Sequence, residues 1–143
     1  MGKNNIADDT NRIGYATEFL VEGKAYNIGI DISVPVSPLR YDQIWDINTH
    51  LIKVQIKHAS PIIKDNIIYG FKFTGKNYKE DEIDGIATIY NDKLYFIPIK
   101  QSSNENKLYF IIDQSIETNP FKWANDYEVT SIKKLRRLLK KEP

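Results

Sequence analysis

The chain has 143 residues and no cysteine, and twenty Lys and Arg against nineteen Asp and Glu give a formal net charge of +1. That length suits one domain with a real core, and a hydrophobic share of 41% argues against disorder. No apolar run approaches the roughly 20 residues of a membrane span, the start MGKNNIADD is no signal peptide, and without cysteine there is no disulfide framework or thiolate metal site. The expectation is a single cytoplasmic domain over residues 1–143, with no membrane and no nucleotide cofactor.

The first periodic segment predicts a helix from Asp9 to Ile28, with Asp9 or Thr10 as N-cap and Gly29 as its C-terminal stop. Ala16, Phe19, Leu20, Gly23 and Tyr26 recur at helical spacing, and Val21 and Ala25 form a second, narrower apolar stripe. Such a helix is expected to be buried on both sides. Residues 30–36 then alternate as a short or edge strand that Pro35 and Pro38 break. Tyr41–Ile47 and Leu51–His58 read as a hairpin about Asn48-Thr49. Further strands are predicted at Ile67–Phe73, Gly85–Tyr90, Lys93–Ile99 and Lys107–Ile112, with Asn91-Asp92 as a two-residue turn. Residues 77–82 form a charged connector, and Trp123–Lys141 has helical texture. Helix, strands, helix makes an α+β fold with a mixed, mostly antiparallel sheet.

Charge is unevenly spread. Up to Ile132 there are fourteen basic and eighteen acidic residues, whereas 133–141 (KKLRRLLKK) holds six basic residues and no acid. An acidic body with a basic C-terminal segment differs from a neutral protein, although such a segment is also what the solvated face of a last helix looks like.

The hairpin carries the sharpest pattern. A two-residue loop pairs Ile47 with His50, Asp46 with Leu51, Ile44 with Lys53 and Asp42 with Gln55. One face is then Tyr41, Gln43, Trp45 and Ile47 with Ile52, Val54 and Ile56. The other gathers Asp42, Asp46, Lys53, Gln55 and Lys57. Asp42, Gln55 and Lys57 converge beside a buried sheet. Asp42 and Gln55 offer hard oxygen ligands of the kind Mg²⁺ takes, and Lys57 offers an ammonium for developing negative charge. Glu18 and Glu22 on the first helix could add a carboxylate, and Glu18 sits beside the Val21/Ala25 stripe. Spacing alone leaves two readings open: a metal-dependent phosphodiesterase site, or the solvent face of a half-buried sheet.

At these residues the chain resembles the PD-(D/E)xK nucleases, and among them the small Q-x-K group that includes a cyanobacterial group I intron homing endonuclease. Tyr41-Asp42 is followed thirteen residues later by Gln55-Ile56-Lys57. Ala16-Thr17-Glu18 stands where the group has G-E-A, and Gly29 and Val34-Pro35 follow in order. Glu82-Ile83-Asp84 with IATIYNDKLYFIPI, and Asn119 with Trp123-Ala124-Asn125-Asp126-Tyr127-Glu128, resemble its later segments. The similarity spans about residues 12–129. Tyr41 departs from the proline before the acid, and neutral Gln55 departs from the usual carboxylate, which gives Glu18 more weight.

The resemblance implies an α/β/α restriction-endonuclease-like core and a Mg²⁺-dependent endonuclease of double-stranded DNA, with Mn²⁺ as substitute. It implies Glu18, Asp42 and Gln55 as metal ligands and Lys57 as the catalytic lysine. Lys53, Lys76 and Lys79 are candidate phosphate contacts, and Asp84 is expected to be structural. Cutting two strands implies a homodimer or homotetramer. Site-specific cleavage, of intron-homing or restriction type, suits a body with a net charge of −4 and little general affinity for DNA. The alternatives are a non-catalytic DNA-binding or structural module on the same fold, which Gln55 favours, and a Holliday-junction resolvase.

Overall fold

A computed structural model describes residues 6–37, 39–48, 50–75, 78–101, 107–112 and 122–140. Thr49, Lys76, Asn119 and Lys141, which figured in the expectations above, lie outside the described residues. In chain order the elements are α1 (Ile6–Asn27), β1 (Asp31–Ser33), β2 (Gln43–Asp46), β3 (Leu51–Ile56), β4 (Ser60–Lys64), β5 (Ile67–Thr74), β6 (Gly85–Tyr90), β7 (Lys93–Pro98), β8 (Lys107–Ile111), β9 (Lys122–Trp123) and α2 (Ile132–Lys140). Short 3₁₀ turns occupy Ile99–Gln101 and Ala124–Tyr127. The fold is α+β, as expected. The closing segment is less helical than its texture suggested, because Lys122-Trp123 pair with β8 and the helix starts only at Ile132.

The strands form two sheets. The first has the order β1-β2-β3-β6-β7, antiparallel throughout except for the parallel pair β3–β6. The second has the order β4-β5-β8-β9, antiparallel except for β8–β9. Strand β4 had no sequence signal, because SPIIK begins next to a proline and its burial pattern shows no alternation of buried and exposed residues. It forms because Asp65 and Asn66 both take positive φ, 54° and 62°, and turn the chain tightly into β5. Asn91 and Asp92 do the same between β6 and β7, at 52° and 64°.

The two sheets share one apolar core. Phe71 of β5 lies 4.7 Å from Tyr95 of β7 and 5.1 Å from Phe110 of β8, measured between ring centroids. Trp45 meets Phe96 at 5.6 Å within the first sheet. Gly85 lets β6 approach β7, since a Cβ there would run into the Phe96 ring and come within 2.7 Å of the Ile97 carbonyl oxygen.

Helix α1 corrects one expectation. It buries Thr17, Val21 and Ala25, whereas Phe19 is 70% and Leu20 58% exposed. The narrow stripe of small residues lets the helix axis come close to the sheet, and the broader stripe of large residues faces outward. Gly29, at φ +93°, then ends the helix where its carbonyls Ala25 O and Tyr26 O accept the amides of residues 28–30. Helix α2 buries Leu135 and Leu138, and its Arg136 Nη2 donates to Ile47 O at 2.8 Å.

Candidate active site

The β2–β3 pairing fixes the site. Its register is Gln43↔Val54, Ile44↔Lys53, Trp45↔Ile52 and Asp46↔Leu51, so the alternation read from the sequence places every ladder residue. Gln43, Trp45, Ile47, Ile52, Val54 and Ile56 are all buried on one face. Asp42 stands one residue before β2. Its amide donates to Val54 O at 2.9 Å, and its Oδ2 accepts the Ile56 amide at 2.9 Å. The carboxylate thus takes the place of a ladder carbonyl, at the one amide flanked by Gln55 and Lys57.

Lys57 follows β3 directly, and its amide donates to Ala87 O of β6 at 3.0 Å. Gln55, half-buried, pairs with Ile86 in the same parallel ladder. By period-2 alternation Gln55 and Lys57 share a face. Asp84 pins this arrangement from the next strand: Lys53 N donates to its Oδ2 at 2.7 Å, and Asp84 N donates to Lys53 O at 2.8 Å. These two bonds tie β3 to the residue that leads into β6.

Glu18 reaches the same end of the sheet from α1. Burial raises its carboxyl pKa above the usual value, and the charge of Asp42 raises it further. Asp42 is also raised, chiefly by burial, while the Ile56 amide and the Lys57 ammonium pull the other way. Glu18 therefore senses the charge of Asp42, and Asp42 senses Lys57. Glu22, one turn along, is half-buried.

Gln43 went unnoticed in the sequence as a site residue. Only 1% exposed, it donates from Nε2 to the Glu18 backbone carbonyl at 3.0 Å and accepts from Trp45 Nε1 at 2.9 Å on its Oε1. A buried amide with both ends bonded clamps α1 to β2 at the height of Glu18 and Asp42. The signal was a lone Gln on an otherwise apolar strand face. On the other flank His58 Nδ1 lies 3.3 Å from Thr17 Oγ1, tying the end of β3 to the residue before Glu18.

Among the candidate phosphate contacts, Lys53 is half-buried; its Nζ lies 5.8 Å from the Tyr41 ring centroid and donates to Asp81 O at 3.2 Å. Lys79 is exposed, with its amide bonded to Glu82 Oε1 at 2.9 Å. Lys76 lies outside the described residues.

Among the described residues no three His, Cys, Asp or Glu side chains gather as a metal cluster. The donors available are two carboxylates, Glu18 and Asp42, and the amide oxygen of Gln55. Two carboxylates raised by burial, Glu18 also by the charge of Asp42, are a set that a hard cation would relieve, and Mg²⁺ commonly takes one or two carboxylates and fills its other positions with water. The donor chemistry fits. No helix among the described residues is long and apolar enough to cross a membrane.

Residues 8–130 match the family model described as PD-(D/E)XK endonuclease. Among solved structures, that of a bacterial homing endonuclease, I-Ssp6803I, is similar with a TM-score of 0.68 at 18% identity, over 98% of this chain and 94% of that one. At that identity the likeness is one of fold. No curated protein sequence matches.

Proposed function

The chain belongs to the PD-(D/E)XK endonuclease family, and we propose that it hydrolyses phosphodiester bonds of double-stranded DNA, at selected sites and with Mg²⁺. The observation that supports this most is the placement of Asp42: its Oδ2 accepts the Ile56 amide at 2.9 Å, between Gln55 and Lys57, and its charge adds to the burial that raises the Glu18 carboxyl. A solvent-facing strand has no reason to bring like charges together from a helix and a hairpin.

Glu18, Asp42 and Gln55 would hold the cation. When bound, Mg²⁺ or Mn²⁺ supplies neutralisation of the scissile phosphate and a more acidic water. The Ile56 amide fixes one oxygen of Asp42 and leaves the other to face a ligand. Lys57 presents its ammonium to the charge that builds on the phosphate as water's oxygen bonds to phosphorus and the sugar oxygen leaves with a proton. Gln43 fixes the helix carrying Glu18, so that the acidic pair keeps its spacing.

Duplex cleavage takes two such sites, which makes a homodimer or homotetramer the working unit. The body up to Ile132 carries net −4, giving weak indiscriminate attraction to DNA and favouring selected, homing-type sites. Lys53, Lys76 and Lys79 are proposed as phosphate contacts around them. The test is a selection for cleavage from a random duplex library with Mg²⁺, run beside Asp42→Ala and Lys57→Ala. A cut sequence lost in both variants upholds the proposal, and no cleavage of any duplex overturns it.

The neutral Gln55 supports a second reading, a DNA-binding module on this fold that has lost its chemistry. It predicts DNA binding without cleavage, and no change in divalent-cation binding when Glu18 and Asp42 are replaced by Ala. Four-way junctions in the same assay test the resolvase alternative.

A further inference from the structure

A lysine that serves as an electrostatic catalyst has four rotatable side-chain bonds to restrain. The backbone of Lys57 is fixed by its bond to Ala87 O. Among the described residues its ammonium joins no ion pair, yet it lies 5.3 Å from the centroid of the Tyr78 ring, within the range of a cation–π attraction. The same ring is met by the Arg40 guanidinium at 4.7 Å.

Arg40 is itself anchored. Its Nε bonds Glu82 Oε2 at 2.9 Å, and the other oxygen of Glu82 accepts the Lys79 amide at 2.9 Å. Glu82 N also donates to Lys79 O at 3.0 Å. The connector between β5 and β6 is thus closed into a turn and latched to the residue two before Asp42. Tyr78, in the same connector, has its ring within cation–π range of both cations.

We propose that Tyr78 is a positioning residue that holds the Lys57 ammonium at the scissile phosphate, with Arg40 and Glu82 fixing the ring. This rests on the reading of Lys57 as the reactive lysine. Both catalysis and the ring face are needed: phenylalanine would serve in place of tyrosine, and a residue without a π-system would not.

The experiment compares Tyr78→Phe, Tyr78→Leu and Tyr78→Gln on the duplex returned by the cleavage selection. The readout beside the rate is the upfield ring-current shift expected of the Lys57 ε-methylene NMR signals, which Lys57→Ala assigns. Expected are loss of that shift and a roughly 3- to 30-fold fall in single-turnover rate for Leu and Gln, the rate equivalent of one cation–π contact. DNA affinity without metal stays at the wild-type value, and Phe retains both shift and rate. In a Lys57→Ala background Tyr78→Leu costs nothing further.

Additive loss in that background, or a wild-type rate once the shift is gone, overturns the positioning role. The Gln variant decides the matter if Leu impairs folding. Wild-type cleavage by Lys57→Ala would sink the reading of Lys57 and the positioning role with it. The shift would then still report whether the ring contact exists, which keeps the two failures distinct.

Discussion

Replacing Gln43 by Leu tests the clamp between α1 and the hairpin. The two side chains are similar in size, so the main change is chemical. The substitution leaves the Trp45 indole N–H buried without an acceptor, at a cost of about 1–3 kcal/mol, and removes a bond to the Glu18 carbonyl worth about 0.5–1.5 kcal/mol. Greater apolarity at a site 1% exposed offsets part of this, leaving about 2–3 kcal/mol. For a chain of this length about 2–4 °C is lost per kcal/mol, so Tm falls by about 4–12 °C. Thermal and urea melts of the DNA-free protein read it directly. Adding Trp45→Phe removes the stranded donor and restores part of the loss, since removing both partners costs less than removing one. A fall under about 1 °C in Gln43→Leu, or no recovery in the double variant, refutes the clamp.

Glu18→Gln and Asp42→Asn should each abolish cleavage while raising stability at neutral pH. Their folded-state pKa values are raised, so the favourable protonated form is present below the unfolded values near 4 and is lost as pH climbs through the folded ones. The gain should therefore vanish at pH 3, and melts across pH 3–8 would expose a wrong sign. Divalent-cation addition should stabilise the wild type and not the double variant, and chelation should stop cleavage; equal Tm shifts in both would remove Glu18 and Asp42 from the metal site. Gly85→Ala should destabilise by about 1–3 kcal/mol through overpacking against Phe96 and the fixed Ile97 carbonyl, measured by urea denaturation. An unchanged midpoint would show that β6 and β7 can separate freely.

The hairpin was legible because its core-facing positions alternate along each strand, Gln43, Trp45 and Ile47 on one and Ile52, Val54 and Ile56 on the other, and period 2 leaves a single register that buries them. Asp42 and Gln55 as candidates followed from that register, each one residue beyond the pair Gln43↔Val54, and Lys57 lies two further along the same face as Gln55. Glu18 was harder. Its helix offers two apolar stripes, and which one docks depends on how near the sheet allows the axis to come, a tertiary fact with no local signal. Strand β4 was invisible for a related reason: exposed on nearly every residue, it is held by a left-handed turn and by β5, not by its own pattern. Tyr78 and Arg40 lie in the connector and before the hairpin, where no periodicity reports on a neighbour.

The parallel pairing of β3 with β6 sets an order of assembly. The Asp42–Ile56 bond spans fourteen residues and can form as soon as the hairpin closes. The Lys57 amide waits for Ala87, which arrives only after the β4–β5 excursion has been made and folded back. Loop closure over that stretch is paired with burial of Ile56 and Ala87, so it is unfavourable until both strands meet. On the proposed reading, the acidic half of the site is tied by contacts within residues 18–56, whereas the anchoring of its lysine depends on β6. On that same reading cleavage requires β6 as well as the hairpin, so topology itself would disfavour nicking by a chain that lacks it.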